Sequence, residues 1–242
     1  MFNIIKIDST TSTNSELKKL CPERNLPSFS TLLAKSQTSG RGQTGTSWES
    51  EPYKNLTFST IIFPEHLPVK DSFIISQIFS LAVKETLDKC IEHVSVKWPN
   101  DIYYQDRKIC GILIENDIVG IDVLSSIIGI GLNVNQEKFN SNAPNPISLK
   151  QITGKEYCLE ELLEQILNIA EEKYRQFLSG NIEKIHIEYQ NSLYRKSGYY
   201  TFEDKNGCFQ ACIKEVKSDG VLMLETENKE IRPYRFKEIR FI

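Results

Sequence analysis

"TSGRGQTGTSW", residues 38–48, carries glycines at 40, 42 and 45, a single arginine at 41, and one of the chain's two tryptophans at its end. By spacing alone it passes for a loose G-x-G-x-x-G, which in a dinucleotide-binding fold opens a helix. The flanking residues decide otherwise. "FSTLLAKS" before it and "NLTFSTIIF" after it read as β-strands, and Trp48 and Pro52 argue against a helix between them. The loop is therefore strung between two strands. Such a loop exposes backbone N–H groups with no side chains in the way, so it can wrap an anion closely, and Arg41 adds charge to that cradle. No G-x-x-x-x-G-K-[ST] stretch exists, which excludes a phosphate-loop ATPase.

Outward from the loop, strands alternate with a few well-marked helices. "TNSELKKL" places Thr13 and Glu16 in capping-box spacing and predicts a short helix stopped by Pro22. Residues 71–90 have a helical apolar period through Phe73, Ile74, Ile78, Leu81 and Ala82. "VSVKW", "IYY" and "KICGILIE" read as three more strands, the last two joined by the turn Gln105, Asp106, Arg107, and "SSIIGIGLNVN" as another. Hairpin-type neighbours predict an α+β fold on a mixed, mainly antiparallel sheet. Helices follow at 158–179 and 181–193, and after residue 195 Asn206-Gly207 and Asp219-Gly220 are hairpin signals of a small all-β unit. The predicted division is 1–194 and 195–242.

Composition sets bounds and names no partner. With 242 residues, 40% hydrophobic and 25% charged, the chain can bury one sizeable core and a smaller one. A net charge of -3 without like-charge runs gives no sign of nucleic-acid binding. "MFNIIKIDST" has no leader pattern and no stretch approaches a membrane span, so a cytoplasmic location is expected. Six cysteines without a CxxC, and three histidines, point to reduced thiols rather than zinc or disulfides.

Three further stretches carry chemistry. "KWPND", residues 97–101, packs a lysine, an indole, a proline, an amide and a carboxylate together, where a capped turn with Trp98 in the core is the plainer alternative. In "DRKICGILIE", residues 106–115, Lys108 beside Gly111 would offer a ligand both room and a point charge, unless it is an exposed hairpin lysine. In "GIGLN", Gly129 and Gly131 share one strand face and clear a flat floor for a ring system, with Asn133 next in step.

Together with "STN" at 12–14 and "GIGLNVN" at 129–135, these motifs occur in the order found in biotin protein ligases, which the chain resembles along nearly its whole length. The C-terminal stretch ending "RFKEIRFI" is similar to that family's SH3-like barrel, and the main sheet is implied to be class II aminoacyl-tRNA synthetase-like. With no helix-turn-helix ahead of the motifs, the resemblance is to the monofunctional type.

The resemblance implies ATP-dependent activation of biotin to biotinyl-5'-AMP, with Mg²⁺, and transfer to a lysine of a biotin carboxyl carrier domain. Carried over by position, Ser12, Thr13, Asn14 and Gln37 contact the biotin bicycle, and Gly111, Leu113, Gly129 and Gly131 wall it in. Gly40, Arg41, Gly42 and Gln43 close over the ligand, with Arg41 and Gln43 on the adenylate side. Lys108 bridges the biotin carboxylate and the α-phosphate as the main catalytic residue. Trp48 packs over adenine, Asn100 and Asn133 contact the nucleotide, and Lys97 attends the pyrophosphate. Asp101 coordinates Mg²⁺ or helps deprotonate the acceptor lysine.

Relatives often carry more arginines after GRG, where this chain has Gln43, Thr44 and Thr46, so retention of the adenylate is expected to be weaker. The paired-arginine and triple-glycine signature of lipoate ligases is not found. A non-enzymatic biotin- or nucleotide-binding module would have no reason to gather Lys97, Lys108 and Asp101. The natural acceptor, and dimerisation through a sheet edge, stay open.

Overall fold

The computed structural model describes residues 2–43, 45–140 and 144–242. Seven strands form the main sheet: β1 (Ile4–Thr10), β2 (Ser30–Gln37), β3 (Leu56–Ile62), β4 (Val94–Lys97), β5 (Asp101–Tyr104), β6 (Arg107–Val119) and β7 (Asp122–Leu132). Their spatial order is β1-β2-β3-β7-β6-β5-β4. β1 runs parallel to β2 and every other neighbouring pair is antiparallel, which is the mixed, mainly antiparallel sheet expected.

Strand alternation sorts the two faces. In β7, Ile128, Ile130 and Leu132 enter the large core, while Ile127, Gly129 and Gly131 point the other way. The core face is covered by α2 (Phe73–Asp88), α4 (Leu159–Leu178) and α5 (Ile182–Asn191). α3 (Leu149–Thr153) is a short helix with a full capping box between Ser148 and Gln151. On the opposite face lies α1 (Thr13–Arg24), whose fully buried Leu17 packs with Leu32, Ile61 and Ile127. α1 covers only part of that face. Where it stops, the glycines of β7 leave room on the sheet for the side chains of Asn14 and Trp48.

α1 departs from the sequence reading at both ends. Its N-cap is Ser12, and no side chain caps it, because the hydroxyls and amide of residues 12–14 are turned to other partners. Pro22 does not stop it; the helix runs to Arg24 with Pro22 inside its last turn, where it forgoes the N–H bond to the carbonyl four residues earlier but only two residues of helix follow.

A second sheet holds β8 (Tyr200–Asp204), β9 (Gly207–Val216), β10 (Leu222–Thr226), β11 (Ile231–Tyr234) and β12 (Arg240–Phe241), in the order β11-β10-β9-β8-β12, all antiparallel. It is the small β unit the sequence predicts after residue 195. Trp98 joins it to the main sheet: the indole is buried, its Nε1 donates to Gly220 O at 2.9 Å, and its ring meets Phe236 at 5.8 Å. The plainer reading of Trp98, as core, is therefore the right one.

Candidate active site

A cavity of about 550 Å³ opens on the α1 face of the main sheet, lined by Ser12, Thr13, Asn14, Gln37, the glycine loop, Lys97, Asp101, Lys108, Gly111, Leu113, Gly129 and Gly131. Its floor is the strand register itself. Gly111 of β6 sits opposite Gly131 of β7, and Leu113 opposite Gly129. A Cβ on Gly129 would fall 2.2 Å from Asn14 Oδ1, and one on Gly131 would fall 2.3 Å from Trp48 Cε2. Only glycine lets these side chains lie on the sheet.

One end of the cavity is rich in hydrogen bonds and carries no net charge, its one cation, Arg41, being paired with Glu115. Gln37 Oε1 accepts from Thr13 N at 2.9 Å and from Thr13 Oγ1 at 3.2 Å. Ser59 Oγ, fully buried on β3, lies 2.7 Å from Thr13 Oγ1 and donates to Asn14 Oδ1 at 2.5 Å. Asn14 Nδ2 donates to Glu115 Oε2 at 2.7 Å. Sequence reasoning passed over Ser59 and Glu115. Both were accessible by strand parity, since Ser59 shares the α1 face of β3 with Ile61, and Glu115 is in step with Gly111 and Leu113.

The other end carries charge. Lys108 Nζ and Asp101 Oδ2 are 2.7 Å apart, both half-buried. Lys108 and Gly111 are three apart, which in a regular strand means opposite faces. A bulge reconciles them: Tyr103 pairs with Lys108 while Ile102 pairs with Cys110, leaving Ile109 as an extra residue in β6. The Lys108 ammonium thus comes 3.4 Å from where a Gly111 Cβ would be. The segment after β7 fixes the bulged strand, with Lys108 N donating to Asn145 O at 2.9 Å and Ile147 N to Lys108 O at 3.0 Å.

The glycine loop folds back on itself. Trp48 N donates to Gly40 O at 2.9 Å, Gly42 N to Thr46 O at 3.0 Å, and Arg41 forms a β-bridge with Ser47. Arg41 Nη2 donates to both Glu115 oxygens, at 2.9 and 3.2 Å. Its Nε reaches Ser12 Oγ at 3.5 Å. The Trp48 indole rests on Gly131 and Gly111, with Lys108 Nζ 5.9 Å from its ring centre. Gln43 and Thr46 line the loop's cavity side, while Thr44 lies outside the described residues.

Two residues predicted for the site stand behind its wall. Asn100 is buried and donates to Ile112 O at 2.9 Å; it lines a neighbouring groove between the two sheets. Asn133 is buried and donates to Ile147 O at 3.1 Å, because β7 ends at Leu132 and its alternation ends there. Lys97 reaches the cavity and donates to Tyr103 Oη at 3.1 Å; burial pulls its pKa down against the opposing pull of Asp101. Among the described residues no group of three or more His, Cys, Asp or Glu side chains is placed to hold a metal, and no helix is long and apolar enough to cross a membrane.

Residues 6–133, which contain the loop, the glycine floor and both lysines, match the Biotin/lipoate A/B protein ligase family. The chain belongs to that family. Within it, the fold is similar to the biotin protein ligase of Aquifex aeolicus in complex with biotin and ATP, at 26% identity and a TM-score of 0.81, covering 100% of both chains. The bifunctional ligase/repressor BirA of Bacillus spizizenii is 28% identical over 227 residues, 91% of this chain and 68% of that protein. The biotin–[acetyl-CoA-carboxylase] ligase of Paracoccus denitrificans is 30% identical over 162 residues, 64% of this chain and 66% of that one.

Proposed function

We propose that this chain is a biotin protein ligase that joins biotin to AMP and then passes the biotinyl group to a lysine of a biotin carboxyl carrier domain. The observation that carries the reading is the polarity of the cavity: hydrogen-bonding side chains at the Ser12–Asn14 end, a glycine floor on which the Trp48 indole lies, and Lys108 paired with Asp101 at the other end. A bicyclic urea asks for donors and acceptors without net charge. A carboxylate meeting a triphosphate asks for cations.

In the first step a biotin carboxylate oxygen attacks the α-phosphorus of ATP, the bond to the β-phosphate oxygen breaks, and pyrophosphate leaves with the electron pair. Lys108 offsets repulsion between the two anions, and positioning with electrostatics supplies most of the catalysis. Asp101 loses its partner as Lys108 turns to phosphate. In the second step the carrier amine attacks the acyl carbon, AMP leaves, and the freed Asp101 carboxylate accepts the amine's proton.

Mg²⁺ is held by one or two carboxylates together with phosphate oxygens. Asp101, the acidic side chain among those lining the cavity, would hold it beside the nucleotide, where it would neutralise charge on the leaving pyrophosphate. Ser12, Thr13, Asn14 and Gln37 would take the ring, and Gly111, Leu113, Gly129 and Gly131 would form its walls. Gly40, Gly42 and Gln43 would cover the ligand, Lys97 and Trp48 would face the nucleotide, and Arg41 would turn from Ser12 and Glu115 to the adenylate phosphate. Asn100 and Asn133 would brace the strands from behind. Residues 1–194 would carry the chemistry and residues 195–242 would close the site and dock the acceptor.

Isotope exchange between pyrophosphate and ATP tests the first step. Exchange that needs biotin and does not run on lipoate is expected. Exchange driven by lipoate, or none with either acid, would overturn the reading.

A further inference from the structure

Lys97, at the end of β4, is half-buried and lines the cavity, yet it enters no ion pair among the described residues. Two aromatic rings stand where a carboxylate partner would be expected. Its Nζ lies 4.7 Å from the centre of the Tyr103 ring and 5.3 Å from that of Phe241. Tyr194 backs both rings, at 5.3 Å from Tyr103 and 6.3 Å from Phe241.

Phe241 is the penultimate residue of the chain, and several contacts fix it there. β12 pairs Phe241 with Phe202 of β8, and the two rings meet edge-on at 4.9 Å. Arg240 Nη1 reaches Glu203 Oε2 at 2.7 Å, Ile242 N donates to Thr201 O at 3.1 Å, and Arg195 Nη1 donates to Ile242 O at 2.6 Å. So much anchoring brings one ring of the second sheet onto one ammonium of the first.

The geometry points to Phe241 as a positioning residue that holds the Lys97 ammonium ready for the terminal phosphates of ATP and for pyrophosphate. This rests on the reading of the cavity as an adenylation site. A ring face attracts an ammonium without consuming its N–H donors. Of the three donors one goes to Tyr103 Oη, and the other two are left for phosphate oxygens. Lys108 differs, since its charge is already matched by the Asp101 carboxylate at 2.7 Å. The aromatic cage thus keeps a desolvated charge in place at no cost in displaced partners.

The test is calorimetric titration of the full chain with ATP, pyrophosphate and biotin separately, comparing Phe241→Leu, Phe241→Tyr and each of these with Lys97→Met. Phe241→Leu should lose roughly three- to tenfold in ATP and pyrophosphate affinity, the size of one cation–π contact, with biotin affinity unchanged. Phe241→Tyr should restore it, and the leucine should have no effect once Lys97 is Met. Wild-type affinity in Phe241→Leu, an equal loss for biotin, or a loss that persists beside Lys97→Met would overturn the inference. A wild-type chain that binds pyrophosphate through this contact but shows no biotin-dependent exchange would overturn the ligase reading and leave the inference standing.

Discussion

Asp101 and Lys108 meet at 2.7 Å across the β5–β6 pair because Ile109 is bulged out of the ladder between them and Gly111. One extra residue puts the lysine on the glycine floor. Without it, alternation would send the ammonium to the opposite face of the sheet.

Lys108→Ala should therefore fold normally and lose about 10²- to 10³-fold in biotin-dependent pyrophosphate exchange, the effect of removing one preorganised group at developing charge. The Asp101 it leaves behind keeps 25% of its side chain exposed and can be hydrated, so the melting temperature should hold. Exchange rates near wild type would remove Lys108 from the chemistry.

Ser59→Ala removes the hydroxyl that meets Thr13 and Asn14 together. At about 0.5–1.5 kcal/mol per hydrogen bond, biotin affinity should fall roughly three- to tenfold or more while ATP affinity is unchanged. Titration with each ligand separately checks this. An equal loss of both would mean that Ser59 supports the strand and not the ring site.

How much of this was legible in the sequence depended on the range of the contact. The Ile-Gly alternation of residues 128–131 reads directly as core on one face and floor on the other, and the strands beside the glycine loop read from composition. β1 went unread because "NIIKIDST" is too short to announce a parallel partner, and the pairing of β3 with β7 joins segments far apart in the chain. Lys108 and Gly111 were matched although plain parity forbids it, since only the β5 register reveals the bulge. Asn133 shows the converse: its parity is right, but the strand ends one residue before it and its amide donates to Ile147 O. Phe241 could not be found locally, because its contact with Lys97 depends on how two sheets meet.

Glu115 holds Arg41 through two hydrogen bonds and so ties the glycine loop to β6 before any ligand arrives. Glu115→Gln removes the charge and should speed tryptic cleavage after Arg41 several-fold in the free protein, about the effect of losing a pair worth up to 1 kcal/mol. Biotin with ATP should protect the bond in both proteins. Equal cleavage of the two free proteins, followed by mass spectrometry, would show that the pair does not restrain the loop.

Burial lowers the pKa of Lys97, so its ammonium is lost at a lower pH than that of an ordinary lysine. The charge is fully present below that value. ATP affinity should accordingly hold through neutral pH and fall as pH rises through it, while biotin affinity does not follow. Lys97→Arg, which stays charged throughout, should abolish the alkaline fall. A pH profile of KM for ATP that is the same in both proteins would contradict the assignment.

The central claim is that this cavity makes biotinyl-5'-AMP and delivers it to one lysine, and mass spectrometry of an apo biotin carrier domain tests it most directly. The chain is incubated with that domain, ATP, Mg²⁺ and equal concentrations of biotin and lipoate. The account predicts addition of a single biotinyl group at one carrier lysine, dependent on ATP and abolished by Lys108→Ala. A lipoyl adduct, or an unmodified carrier under conditions in which the chain binds both ATP and biotin, would contradict it.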